Sequence, residues 1–99
     1  MSVSRQTKSP HLEIALQITE TTEPGAETRT WEVHDVERSR GFAVTLAGGH
    51  GVGQERIDVA IGLAIERALV TPPEKLAGET YPLAVTAQDL QDAASFDRP

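Results

Sequence analysis

Residues 53–70, GQERIDVAIGLAIERALV, decide the fold of this chain. At about 100° per residue, many of the apolar side chains fall on one broad face of a helix. That face consists of Ile57, Ala60, Ile61, Ala64, Ile65 and Ala68. The alanines recur every fourth residue and form a low ridge that permits close approach to a neighbouring element. The pattern predicts one long helix over about residues 53–70, with this face packed on a sheet.

A second apolar stripe lies roughly opposite the main face and consists of Val59, Leu63 and Val70. A simple surface helix would be polar there. Two interpretations stay open. Either the C-terminal segment covers the second stripe, through Leu76 or Leu90, or a second copy of the chain packs on it. We favour the second copy slightly, because so small a domain has a thin core of its own.

Three segments before the helix alternate between apolar and polar residues, with the period of two that is typical of a half-buried strand. They cover about residues 11–19, 28–36 and 41–47. The first has the clearest apolar face, formed by Leu12, Ile14, Leu16 and Ile18. In the second, we expect Trp31 to lie in the core. Consecutive strands with short connections predict an antiparallel three-strand meander under the long helix.

The segments after the helix are shorter. Thr71-Pro72-Pro73 ends the helix, because a residue before proline avoids the α region. Residues 81–86 predict a short fourth strand, and Pro82, which has no N–H to donate, favours a place at a sheet edge. Residues 87–95 predict a short C-terminal helix capped by Thr86. The fold class is therefore α+β, with one domain over residues 11–97 and a polar, flexible leader over residues 1–10.

The overall charge narrows the classes of function. The 99 residues include 15 acidic and 9 basic side chains, which give a formal net charge of −6. This balance argues against binding to nucleic acid or to an anionic membrane by bulk electrostatics. The chain has no cysteine, which excludes disulfides and thiolate metal sites. With no signal-peptide pattern and no long apolar run, we expect a cytoplasmic protein.

A glycine-rich loop at residues 48–53 precedes the long helix. The backbone N–H groups of such a loop, together with the positive end of the helix dipole, suit an anion. A candidate anion site therefore consists of Gly49, His50, Gly51, Gly53 and Arg56. The loop lacks the Gly-Lys-Ser/Thr ending of a P-loop, and its glycine spacing differs from the dinucleotide-binding fingerprint. The loop is more simply explained as a flexible connection.

No pattern of catalytic or metal-binding residues is present in the sequence. His34 and Asp35 are adjacent in a predicted strand, so their side chains point to opposite faces. Glu32 and His34 share a face, which an exposed polar strand explains. No pair of histidines has metal-ligand spacing, and no serine lies in a nucleophile motif. We therefore expect no catalytic residue, no metal and no cofactor.

Two hypotheses of function remain. The first is a small non-catalytic protein-interaction or regulatory module that associates with itself through the second stripe. The second is a small anion-binding or nucleotide-binding protein, or an enzyme, that uses the loop at residues 48–53 with Arg56. The missing catalytic pattern, the small size and the second stripe favour the first.

Overall fold

The computed structural model of the chain describes residues 4–37, 40–48, 51–70 and 80–96. Its elements, in chain order, are β1 (Ser4–Lys8), β2 (Ala15–Glu20), β3 (Thr28–Asp35), β4 (Arg40–Ala47), α1 (Gln54–Val70), β5 (Tyr81–Ala84) and α2 (Ala87–Phe96). The predicted α+β class is confirmed, and α1 covers nearly the span that the apolar pattern predicts.

The strands form one five-stranded sheet in the order β1-β2-β3-β4-β5. The pairs from β1 to β4 are antiparallel, whereas β5 runs parallel to β4. The sheet is therefore mixed and larger than the antiparallel three-strand meander that the sequence predicts. The parallel pair follows from α1, because a helical crossover returns the chain to the end of the sheet at which β4 began.

The first strand corrects the prediction of a flexible leader at residues 1–10. Ser4–Lys8 pairs with β2 from Ser4↔Thr19 to Lys8↔Ala15. Its sequence, SRQTK, shows no apolar alternation, because β1 lies at the sheet edge and turns Arg5 and Thr7 toward the helical side. The strand predicted at residues 11–19 accordingly begins later, at Ala15. The residues between the two strands form a turn in which Glu13 has a φ of 52°.

The core lies between the sheet and α1. The main face of α1 is buried as predicted, and so are Trp31, Phe42 and the alternating apolar residues of β2, β3 and β4. Trp31 is only 1% exposed, which confirms its predicted place in the core. At the far edge of the sheet, Val85 donates its N–H to the Thr45 carbonyl at 2.9 Å. Since N–H directions alternate along a strand, Pro82 faces away from β4, where its missing N–H leaves no ladder bond unmade.

Strand β1 and the turn that follows it pack along one side of α1, against three helix positions spaced four residues apart. Asp58 pairs with Arg5 of β1, with Oδ1 2.6 Å from Nη2. Gly62 lies against Pro10, and a Cβ built on it would be 2.8 Å from Pro10 Cδ. Glu66 accepts the backbone N–H groups of residues 11 and 12 on one carboxylate oxygen, at 2.7 and 2.6 Å. The sequence marks this side of the helix as polar, but the structure buries it under the turn.

We expect Gly62→Ala to destabilise the protein, although alanine is the better helix former. Its methyl group would collide with the ring of Pro10 and the backbone of Ser9, whose Cα would be 3.1 Å away. Overpacking of this kind outweighs the helix-propensity gain of roughly 1 kcal/mol, which leaves a net loss of about 1 kcal/mol or more. Urea unfolding measures this loss.

The matched control is Gln91→Ala, which also places alanine in a helix, α2, but at an exposed position. Its free energy of unfolding should stay within about 0.5 kcal/mol of the wild type. A Gly62→Ala protein as stable as the wild type would contradict the close approach of the turn to the helix.

Candidate functional site

The second stripe lies on the outer surface of α1, between the β1–β2 turn on one side and α2 on the other. Val59 and Leu63 are half-buried and also contact the edge of the core. The backbone of Val70 continues α1, and its side chain lies outside the described part of the structure. The structure therefore leaves part of the predicted apolar stripe open to solvent.

The second helix, α2, borders the stripe on its basic side. Arg56 donates Nε to the carbonyl of Leu90 at 3.0 Å. Arg67 pairs with Asp89, with Nη1 2.6 Å from Oδ1, and half of the Arg67 side chain remains exposed. Leu90 is half-buried and packs against the core. These contacts place α2 beside the second stripe.

Asp89 also fixes the start of α2 through a reciprocal capping box. Its Oδ2 accepts the backbone N–H of Thr86 at 3.0 Å, and its own backbone N–H donates to Thr86 Oγ1 at 3.2 Å. This confirms Thr86 as the cap that the sequence predicts. Because one carboxylate serves both the cap and the ion pair with Arg67, α2 is oriented against α1 at the point where it begins. The other covering residue considered from sequence, Leu76, lies outside the described residues.

Leu12 adds an apolar side chain to this side of the molecule. The sequence pattern predicts it on the buried face of a strand, but it is 54% exposed. The reason is local, because the residues before Ala15 form the turn and not the strand. The backbone N–H of Leu12 is held by Glu66, which lies three residues from Leu63 on α1. Periodicity carries no signal for this exposure, since the turn keeps the apolar alternation of the strand that follows.

The loop at residues 48–53 is described only in part. Gly49 and His50 of the candidate anion site lie outside the described residues, whereas Gly51 and Gly53 are exposed beside the start of α1. The first helical hydrogen bond runs from the N–H of Ile57 to the carbonyl of Gly53 at 3.1 Å. Arg56, the cation of this candidate site, is held at Nε by α2, through Leu90. The described geometry thus directs Arg56 toward the second helix.

A cluster of charges lies on the helical side of the sheet, near the start of α1. Arg29 donates Nε and Nη2 to the two carboxylate oxygens of Glu20, at 3.1 and 2.9 Å. The guanidinium of Arg29 also stacks over Trp31, 5.1 Å from the ring centroid. The hydrogen bond from Arg29 lowers the pKa of Glu20 below its ordinary value of 4.5. The ion pair of Arg29 and Glu20 therefore covers the end of the core at Trp31.

Glu32 and His34 share the face of the sheet that points away from α1, in agreement with the sequence. His11 lies in the β1–β2 turn, where its backbone N–H donates to Glu66. Over the described ranges, no group of three or more histidine, aspartate or glutamate side chains has metal-binding geometry.

No helix in the described ranges is both long and apolar enough to cross a membrane. The chain matches no protein-family model, and comparison with curated proteins and with solved structures finds no significant similarity.

The lowered pKa of Glu20 predicts a pH dependence of stability. A carboxyl group whose pKa is lower in the folded state stabilises the fold above its unfolded pKa, and this stabilisation is lost as the pH falls through the folded pKa. Glu20→Gln should therefore lower the free energy of unfolding by about 1 kcal/mol near neutral pH. The difference from the wild type should shrink below the ordinary value of 4.5. Urea unfolding over this pH range measures it, and a difference that stays constant with pH would contradict the role of the ion pair.

Proposed function

We propose that this chain is a small non-catalytic protein-interaction module that works as a homodimer, joined through the second stripe of α1. The observation that supports this most is the half-buried state of Val59 and Leu63. Two neighbouring elements already pack against α1, one on each side, and these apolar side chains still reach solvent. A further protein surface is the simplest way to cover them.

The spacing of the residues on α1 suits pairing with a second copy in antiparallel orientation. A two-fold axis at the level of Ile61 places Val59 of one copy opposite Leu63 of the other, because the two residues lie at equal distances along the helix on either side of Ile61. The same axis places Glu55 at the same height as Arg67 of the second copy, because these two residues also lie symmetrically about Ile61. Both are exposed, and opposite charges at one level favour the antiparallel over the parallel orientation.

The area of the helical layer is large enough for a stable interface. A stable interface buries about 800 Å² on each partner. The 17 residues of α1 make a helix about 26 Å long, and one face of such a helix is too narrow to supply that area alone. A two-layer domain is thinnest across its layers, and the extents of this one are 33 × 33 × 21 Å. Its helical face, including α2 and the turn that carries Leu12, is therefore broad enough.

Net charge opposes this association, because each copy carries a formal net charge of −6. Two such copies repel each other at long range, and salt screens that repulsion. An apolar contact surface avoids adding to it. The absence of cysteine suits a reducing compartment, and we propose the cytoplasm as the location.

The mass in solution tests the dimer directly. One chain has a mass of 10.7 kDa, so light scattering coupled to size-exclusion chromatography should give twice that mass. Leu63→Glu should give the mass of one chain while the circular dichroism spectrum keeps its folded shape, because a charge buried in the dimer interface is unpaired.

The matched control is Val36→Glu, which introduces the same charge at an exposed apolar residue on the opposite face of the sheet. This variant should keep the dimer mass. A wild-type mass of one chain, or a Leu63→Glu protein that remains dimeric, would contradict the proposed interface.

A further inference from the structure

The face of the sheet that points away from α1 carries a second candidate surface. We call it the open sheet face, and the strand register assigns its side chains from β1 to β5. Across the middle of the sheet they are Ser4, Thr19, Glu32, Ala43 and Pro82 in one row, and Gln6, Gln17, His34 and Gly41 in the next. No described helix covers this face, because α1 and α2 pack on the other. Its polar, small side chains make it unsuited to sheet-on-sheet packing.

A depression of about 310 Å³ lies near the centre of the open sheet face. Polar side chains border it on two neighbouring strands, β2 and β3, and at the entry to β5, namely those of Gln17, Thr19, Glu32, His34 and Thr80. Gly41 provides its floor, because it presents no side chain between His34 and Thr80. The hydroxyl of Thr80 would be 3.4 Å from a Cβ at position 41, so it forms the adjacent wall. A volume near 300 Å³ is at the lower end of the range for ligand pockets.

Glu32 brings a negative charge to this depression that no described residue neutralises. Its carboxylate has no hydrogen bond or ion pair to any described residue, in contrast to the paired carboxylates of Glu20, Asp35 and Asp58 on the helical side. The register neighbours of Glu32 are Thr19 and Ala43, which are both neutral. None of the described residues that line the depression is a lysine or an arginine.

The bordering side chains share one chemical property: each of them can accept a hydrogen bond. The Glu32 carboxylate accepts only, and the amide of Gln17, the two hydroxyls and a neutral imidazole each have an acceptor site. The group that best matches such a site is a guanidinium, which is planar, has five N–H donors and pairs with a carboxylate through two parallel bonds. The net charge of −6 adds a long-range attraction for a cation.

From this match we propose that the open sheet face binds an arginine side chain of a partner protein, with Glu32 as the anionic anchor. The partner is a protein segment because the depression opens onto a flat face on which an extended chain can lie. This site goes beyond the proposed dimer and is separate from it, since the two surfaces lie on opposite layers of the domain.

Nuclear magnetic resonance titration with capped arginine, N-acetyl-arginine methylamide, tests the proposal. Amide shifts should concentrate on β3 around Glu32 and His34, with weak affinity because one side chain is presented alone. The isosteric neutral probe, N-acetyl-citrulline methylamide, should bind at least about tenfold more weakly, since charge-assisted bonds are roughly twice as strong as neutral ones. Equal shifts with both probes, or no shift at β3 with arginine, would overturn the proposal.

Two variants distinguish direct binding to Glu32 from a general effect of the protein's negative charge. Glu32→Gln should weaken capped arginine about tenfold or more, whereas Glu23→Gln removes the same charge from an exposed loop outside the depression and should change the affinity less than about twofold. Glu32 is exposed, so the first variant keeps the fold. Equal effects of the two variants would reject Glu32 as the anchor, and binding of free arginine without binding of the capped form would reject a partner segment.

The same titration on the Leu63→Glu protein distinguishes this site from the dimer interface. Capped arginine should bind the monomeric variant with unchanged affinity, because the second stripe lies on the other layer. A loss of binding there would overturn the separation of the two surfaces.

Discussion

The arrangement of this molecule depends on the hydrogen bonds between the Glu66 carboxylate and the backbone of the β1–β2 turn. One carboxylate oxygen accepts two consecutive backbone N–H groups, those of His11 and Leu12. Hydrogen bonds to a charged group contribute about 1.5–3 kcal/mol each, and burial of the carboxylate offsets part of that gain. Glu66 is 5% exposed, and its other oxygen has no hydrogen-bond partner in the described structure. The turn therefore supplies the main polar contacts of this buried carboxylate.

This contact explains why an edge strand of low hydrophobicity belongs to the sheet. β1 contributes few apolar side chains. Its place is fixed by backbone hydrogen bonds to β2 and by the contacts that Asp58, Gly62 and Glu66 of α1 make with β1 and the turn. Asp58, Gly62 and Glu66 occupy the acidic side of the helix, as α2 occupies the basic side. Among the described elements, neither side covers Val59 and Leu63 completely, and both remain half-buried.

Much of the fold could be predicted from local patterns. The 100° periodicity of α1 gave the face that packs on the sheet, and the alternation in β2, β3 and β4 gave their buried faces. β1 could not be predicted, because SRQTK has no apolar alternation and its place is set by pairing with β2 across the turn. In the sequence, Glu66 and Gly62 look like ordinary polar helix positions. Their structural role depends on contacts with the backbone of a turn that is distant in sequence. Parallel pairing of β5 also depends on the tertiary path of α1.

The candidate surfaces divide in the same way. The second stripe was visible in the sequence, because it departs from what a simple surface helix requires. The depression at Glu32 was not, although the sequence placed Glu32 and His34 on one face. Its shape depends on Gly41 lying beside them in β4 and on Thr80 reaching it from the start of β5. The charge of Glu32 becomes distinctive only when the neutral residues across the register are known.

Amide hydrogen exchange at His11 and Leu12, in the wild type and in Glu66→Ala, tests the central claim most directly. If Glu66 holds the turn, both amides are protected in the wild type and lose that protection in the variant, while the amides of β3 and β4 stay protected. Unprotected amides at these two positions in the wild type, or protection that survives the loss of the carboxylate, would contradict the account.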